Sequence, residues 1–136
     1  VSTFDKPATE YGKRLEKIIR RAREKNPNLP IYVIGIYNPF YLNFPELTDM
    51  QLVVDKWNQE TESRTRKFSG AYFVPINDLL YKGLEGEQGV SVNTSKIANN
   101  LLYGEDSFHP NNTGYEIIKQ AVMEKIRVTK EEWKNK

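Results

Sequence analysis

"IYVIGI", residues 31–36, is the stretch that decides the fold class. Its β-branched and aromatic residues are apolar at successive positions, so a strand built from them has two oily faces, and both need cover. A strand of that kind belongs inside a parallel sheet rather than in a half-solvated hairpin. A second run of the same character, "AYFVPI", occupies residues 71–76. Between the two, from about Leu47 to Lys67, Met50, Val53, Val54, Trp57 and Thr61 recur at three- and four-residue steps, which is the period of a helix. Strand, crossover helix and strand predict a parallel β-α-β unit with a right-handed crossover.

Outward from this unit the same alternation continues. Thr9 to Lys25 has helical periodicity, with Leu15, Ile18, Ile19 and Ala22 as its apolar positions, and "NPNLP" at 26–30 stops it. The basic run "KRLEKIIRRAREK" in that helix then reads as a solvated outer face. After the first strand, "YNPFYLNFP" reads as a loop because Pro39 and Pro45 oppose regular structure; its four aromatics, from Tyr37 to Phe44, are of the kind that line pockets. From Asn77 to Glu105 the pattern is irregular: a helical turn near "NDLLYKG", then a long loop with room for one helical piece at 94–102. Asn112 to about Arg127 is a helix with Tyr115, Ile118, Ala121, Val122 and Ile126 as apolar positions, and "KEEWKNK" is expected to be a solvated tail.

Composition narrows the classes of function. With 136 residues the chain fits one domain, and a domain of that size buries roughly two thirds of its unfolded surface. At 38% hydrophobic and 28% charged it is expected to be soluble and ordered. Lysine and arginine exceed aspartate and glutamate by 20 to 18, a net charge of +2, which supplies no electrostatic reason for a nucleic-acid partner. Cysteine is absent, so disulfide scaffolds and thiolate zinc sites are excluded.

The chain's one histidine lies in "DSFHPNNTGYEII", residues 106–118. In a tight turn Asp106 can reach the imidazole of His109, take its Nδ1 proton and leave Nε2 as a general base. Pro110 pins the exit, and Asn111, Asn112 or Thr113 can cap the following helix; Thr113 with Glu116 also fits a capping box. On spacing alone the simpler reading is the stronger one, in which Asp106 and the asparagines are turn residues and His109 is an incidental polar side chain.

A resemblance reverses that balance. "DSFHPNNTGYEIIKQAV", preceded by "IYVIGIYNPF" and "AYFVPINDLL", resembles the C-terminal half of the SGNH, or GDSL-type, lipase and acylhydrolase family. There a D-x-x-H-P-N string followed by a helix-opening glycine and an aromatic supplies the acid and base of a Ser-His-Asp triad. The resemblance implies that Asp106 is the orienting acid and His109 the general base. It also implies an α/β three-layer, flavodoxin-like fold with parallel strands, an ester or lipid-like substrate, and no metal or organic cofactor. The branch it resembles is extracellular or cell-surface in Gram-positive bacteria.

The departures are as informative. The family's G-D-S-[LIV] nucleophile motif is not in these residues, since in "GEDSF" at 104–108 Glu105 breaks the spacing and Ser107 sits inside the acid-base turn. The GxND block is not there either: in "PINDLL" the residue two before Asn77 is Pro75, and the segment follows the last predicted strand. Residues 1–136 are therefore expected to be the C-terminal portion of a single SGNH-hydrolase-like domain, inactive alone and completed by an N-terminal half or by a second copy of the chain. Ligands of such sheets bind beyond the carboxyl ends of the strands. Tyr37, Asn38 and Phe40 follow the first strand directly and are expected on the substrate side. The competing reading is a non-catalytic binding or interaction module on an α/β scaffold.

Overall fold

The computed structural model describes residues 2–84, 91–93 and 96–136. After a 3₁₀ turn at Ser2–Phe4 come α1 (Asp5–Ala22), β1 (Ile31–Ile34), α2 (Phe40–Asn43), α3 (Met50–Thr65), β2 (Ala71–Val74) and α4 (Asn77–Leu80). Two short strands, β3 (Ser91–Asn93) and β4 (Lys96–Ala98), precede α5 (Asn112–Thr129) and a final 3₁₀ turn at Lys130–Glu132. The two apolar runs pair in parallel, with Ile31 opposite Ala71 and Ile34 opposite Val74, and α3 forms the crossover. The parallel unit read from the sequence is therefore present.

Strand alternation divides the cover. Val74 joins Ile76, Leu80 and Leu101 in a buried cluster, and Tyr32, Ile117, Ile118, Ala121 and Val122 pack against it, which places α5 on that face of the sheet. On the other face Gly35 lies against the Phe73 ring and the Asn58 amide of α3; a Cβ on Gly35 would come within 2.9 Å of the ring. Asn58 also ends β1, because its side chain accepts from Ile36 N (2.9 Å) and donates to Ile36 O (2.9 Å). Helix α1 packs on α3 through Tyr11, whose hydroxyl meets Thr61 Oγ1 at 2.9 Å and whose ring stacks on Trp57. Among the described residues β1 pairs only with β2, and Ile34 and Ile36 are exposed near the end of that strand.

Several elements differ from the sequence reading. The buried face of α1 is Ala8, Gly12, Leu15, Glu16 and Ile19, while Ile18 and Ala22 are exposed. Glu16 occupies that face because it is matched by Lys67 at 2.7 Å and Arg64 at 3.2 Å. The "FYLN" segment between the two prolines forms one helical turn, since a single turn needs no donor from Pro39 or Pro45. The helical piece at 94–102 is replaced by β4, paired antiparallel with β3, and a turn; residues 94 and 95 lie outside the described residues. In α5 Tyr115 is exposed rather than packed.

The tail is not merely solvated. Trp133 Nε1 donates to Tyr32 Oη at 2.9 Å, Tyr32 Oη also meets Thr129 Oγ1 at 2.6 Å, and Tyr72 Oη donates to Glu132 at 2.6 Å. The stacked Tyr32 and Tyr72 rings thus hold the end of α5 on the sheet. Trp133→Ala is expected to lower stability by about 1–2 kcal/mol, from one hydrogen bond and part of an indole's contact area. Chemical denaturation of the two proteins measures the difference.

Candidate active site

The segment carrying the histidine is closed at its base. Leu101 is fully buried, and its carbonyl accepts from Asn111 N at 2.8 Å. The Asn111 side chain donates to Asn100 O (2.7 Å) and Leu102 O (3.3 Å), while Leu102 and Pro110 form an antiparallel bridge. Asn111 is also the N-cap of α5, its Oδ1 accepting from Gly114 N at 3.0 Å, so the cap is Asn111 among the three residues the sequence left open. Helix, loop closure and core are joined through this one asparagine.

Within the loop, Tyr103 N donates to His109 O at 2.7 Å and Ser107 N to Tyr103 O at 2.8 Å. Ser107 sits at φ 52°, the left-handed region that non-glycine residues avoid, and this reverses the chain between Asp106 and His109. Asp106 Oδ1 then accepts from Phe108 N (2.8 Å) and His109 N (3.0 Å), and Asp106 Oδ2 lies 2.7 Å from His109 Nδ1. The His109 bond first, and the two backbone N–H donors after it, hold the Asp106 carboxyl below its ordinary range. An ionised carboxylate can only accept, so the Nδ1 position carries the proton by assignment from this bond, and Nε2 is left with its lone pair. The His109 side chain is 65% exposed, which leaves Nε2 open to a reacting partner.

The three residues after β1 take different positions. Tyr37 Oη donates to Phe108 O at 2.6 Å, which brings the carboxyl end of β1 to the histidine loop. Phe40 packs edge-on against Phe44 (centroids 5.8 Å apart) and Phe108 (5.9 Å), and Phe108 in turn lies against the His109 ring. Asn38 is buried and its side chain is spent within the protein: Oδ1 accepts from Phe40 N (2.9 Å) and Nδ2 donates to Gln51 (3.2 Å). Its backbone N–H is held by Asn77 Oδ1 at 2.9 Å, so Asn77 serves as an anchor for this loop. A cavity of about 350 Å³ lies between Asn38, Tyr41, Phe44, Leu47 and Gln51. Another cavity, about 500 Å³, lies elsewhere, between Phe4, Asp5, Leu52 and Lys56.

Two asparagines escaped the sequence reading. Asn43 Nδ2 donates to Ser107 O at 3.3 Å and Asn43 Oδ1 accepts from Asn99 N at 3.2 Å. Asn99 is buried, donates to Leu80 O at 2.7 Å and accepts from Leu101 N at 2.9 Å. No periodic signal marks an asparagine that ties one loop to another; its partners are distant in sequence. Among the described residues, no three His, Cys, Asp or Glu side chains converge as a metal site would require.

Comparison with known proteins bears on the fold. The GDSL-like lipase/acylhydrolase family model matches residues 2–117, most of the chain. The chain belongs to that family. It is also 34% identical over 127 residues to the uncharacterized protein YpmR of Bacillus subtilis (strain 168), covering 93% of this chain and 45% of that protein. The chain thus spans a little under half the length of that relative. Family membership brings with it the flavodoxin-like α/β fold, of which the parallel β1 and β2 pair and its helical cover are part.

Two tests follow from the geometry. A Cβ on Gly114 would lie 2.4 Å from Leu101 O and 2.9 Å from the Pro110 Cβ, so Gly114→Ala must displace backbone. It is expected to cost about 1–3 kcal/mol by overpacking, outweighing the roughly 1 kcal/mol that alanine gains in a helix. Denaturant unfolding reads this directly. The second test uses charge. A carboxyl whose folded pKa is depressed adds stability above its unfolded value, about 3.9, and loses it as pH falls through the lower folded value. Asp106→Asn keeps an acceptor for the two backbone N–H groups and removes the charge. Its melting temperature is expected to lie below that of the unaltered chain at pH 6 and to converge with it below about pH 4.

Proposed function

We propose that this chain supplies the acid and base of a serine ester hydrolase, with His109 as general base and Asp106 as the group that orients it. The observation that carries the reading is the Asp106 carboxylate held 2.7 Å from His109 Nδ1, with its second oxygen saturated by two backbone donors and the opposite edge of the ring exposed. In the proposed reaction Nε2 accepts the proton of a serine hydroxyl as that oxygen bonds to the ester carbonyl carbon. The tetrahedral species collapses, the alkoxide leaves with the same proton from the imidazolium, and an acyl-serine forms. Water repeats the sequence, giving its proton to Nε2, releasing the acid and restoring the serine. Asp106 stays ionised throughout and stabilises the imidazolium.

The serine comes from outside these 136 residues, which contain no G-D-S-[LIV] string. Among the described residues β1 pairs only with β2, and the backbone edge this leaves on β1 favours a sheet completed by another polypeptide, either the N-terminal half of the same domain or a second copy. The substrate is an ester with an apolar group. Phe44, Phe40 and Phe108 form an aromatic track from the 350 Å³ cavity to the imidazole, and Tyr41 and Leu47 add to the apolar lining. The protein acts at or outside the surface of a Gram-positive cell.

Mixing this chain with a separately made polypeptide carrying the nucleophile motif is expected to give hydrolysis of a short-chain aryl ester. His109→Ala is expected to reduce that rate at least about a thousandfold. Equal rates for the two mixtures would remove His109 from the chemistry. No hydrolysis from a folded, associated mixture would favour a binding module instead.

A further inference from the structure

The acid-base turn has an internal lock, the Asp106 bonds, and an external one reaching it from β1. Tyr37 Oη donates to Phe108 O at 2.6 Å, and that carbonyl belongs to the same peptide group whose N–H, on His109, donates to Asp106 Oδ1 at 3.0 Å. The four groups form a continuous path: Tyr37 hydroxyl, the peptide between Phe108 and His109, the Asp106 carboxylate, and His109 Nδ1 at 2.7 Å. A peptide that accepts at its oxygen becomes a stronger donor at its nitrogen, so bonds in such a chain reinforce one another. Next to it, Asn43 Nδ2 holds the carbonyl of Ser107, the residue with the left-handed backbone. Two consecutive carbonyls of the turn are thus fastened to the segment that leaves β1.

We propose that Tyr37 is a positioning residue of the Asp106 and His109 pair: its hydroxyl, acting through the Phe108 to His109 peptide, holds the carboxylate on Nδ1 and selects the Nδ1–H tautomer. This rests on the reading of the pair as acid and base, but it assigns to the Tyr37 hydroxyl a role within the protein instead of contact with substrate. Burial, and then the neighbouring Tyr115 and Asp106, push the Tyr37 phenol up to about 12, so it remains a proton donor at any pH at which the pair works. Tyr37 reports where β1 ends. Through it the position of the sheet is passed to the imidazole, which otherwise stands on an exposed loop.

The single histidine of the chain makes the test direct, because nitrogen NMR of the 136-residue chain contains one imidazole and its tautomer ratio needs no assignment. Tyr37→Phe removes the hydroxyl and keeps the ring. The ratio of Nδ1–H to Nε2–H tautomer is expected to fall about threefold, the worth of one ordinary hydrogen bond. In an Asp106→Ala background, which removes both carboxylate oxygens, the same change is expected to have no further effect, since the path is already cut. An unchanged ratio in Tyr37→Phe, or an equal fall in both backgrounds, would overturn the proposal. Should Tyr37→Phe fail to fold, the unaltered chain still decides. A Tyr37 hydroxyl proton protected from exchange, with a contact to the His109 N–H, is expected; free exchange with water refutes it. None of these readouts requires hydrolysis, so failure of the esterase reading and failure of this one are separable.

Discussion

The contact between Leu101 and the start of α5 is the constraint on which the site depends. Leu101 is buried among Val74, Ile76 and Leu80, and its carbonyl is approached so closely by Gly114 that no side chain fits between them. Asn111 closes the same junction with its backbone and side chain while capping the helix. The loop from Leu102 to Pro110 therefore springs from a base as rigid as the core. An exposed pair such as Asp106 and His109 needs such a base to keep its geometry, because surface loops otherwise open at small energetic cost.

Amide side chains do much of the joining above that base. Asn38, Asn43, Asn58, Asn77, Asn99 and Asn111 each bond backbone groups or one another across turns. An amide presents a donor and an acceptor on one short, nearly rigid arm, so it can satisfy two irregular backbone segments at once without introducing a charge. Buried loop backbone must find partners of this kind where no ladder is available. The two loops that meet at the histidine, one after β1 and one before α5, are irregular for most of their length, and amide bonding supplies what strand pairing does elsewhere. The described part of the structure leaves no buried side-chain polar atom without a partner.

The strand pair is the simpler half of the molecule. β1 and β2 are each four residues long and carry helices on both faces, with Tyr32 and Val74 toward α5 and Phe73 toward α3. Their parallel arrangement places both carboxyl ends on one side, and the residues that continue from β1 lead straight to the histidine loop. Among the described residues β1 pairs only with β2, and Ile34 and Ile36 are exposed at its carboxyl end.

Much of this was written in the residues themselves. The two doubly apolar runs and the helical period between them determined a parallel β-α-β unit, because burial on both faces and a crossover of that length leave little alternative. The D-x-x-H spacing determined that Asp106 could reach His109, since a four-residue turn is a local event. What only the tertiary structure decided is everything that depends on residues far apart in the chain. Asn38 turned inward, Tyr37 met a carbonyl 71 positions away, and Trp133, expected in a solvated tail, docked on Tyr32 across 101 positions. Short polar and aromatic side chains carry no periodicity that names a partner; their bonds follow from where the packed strands and helices bring the backbone. Local pattern therefore set the elements and the Asp106 to His109 spacing, and long-range packing set which side chains turn inward and which tie one loop to another.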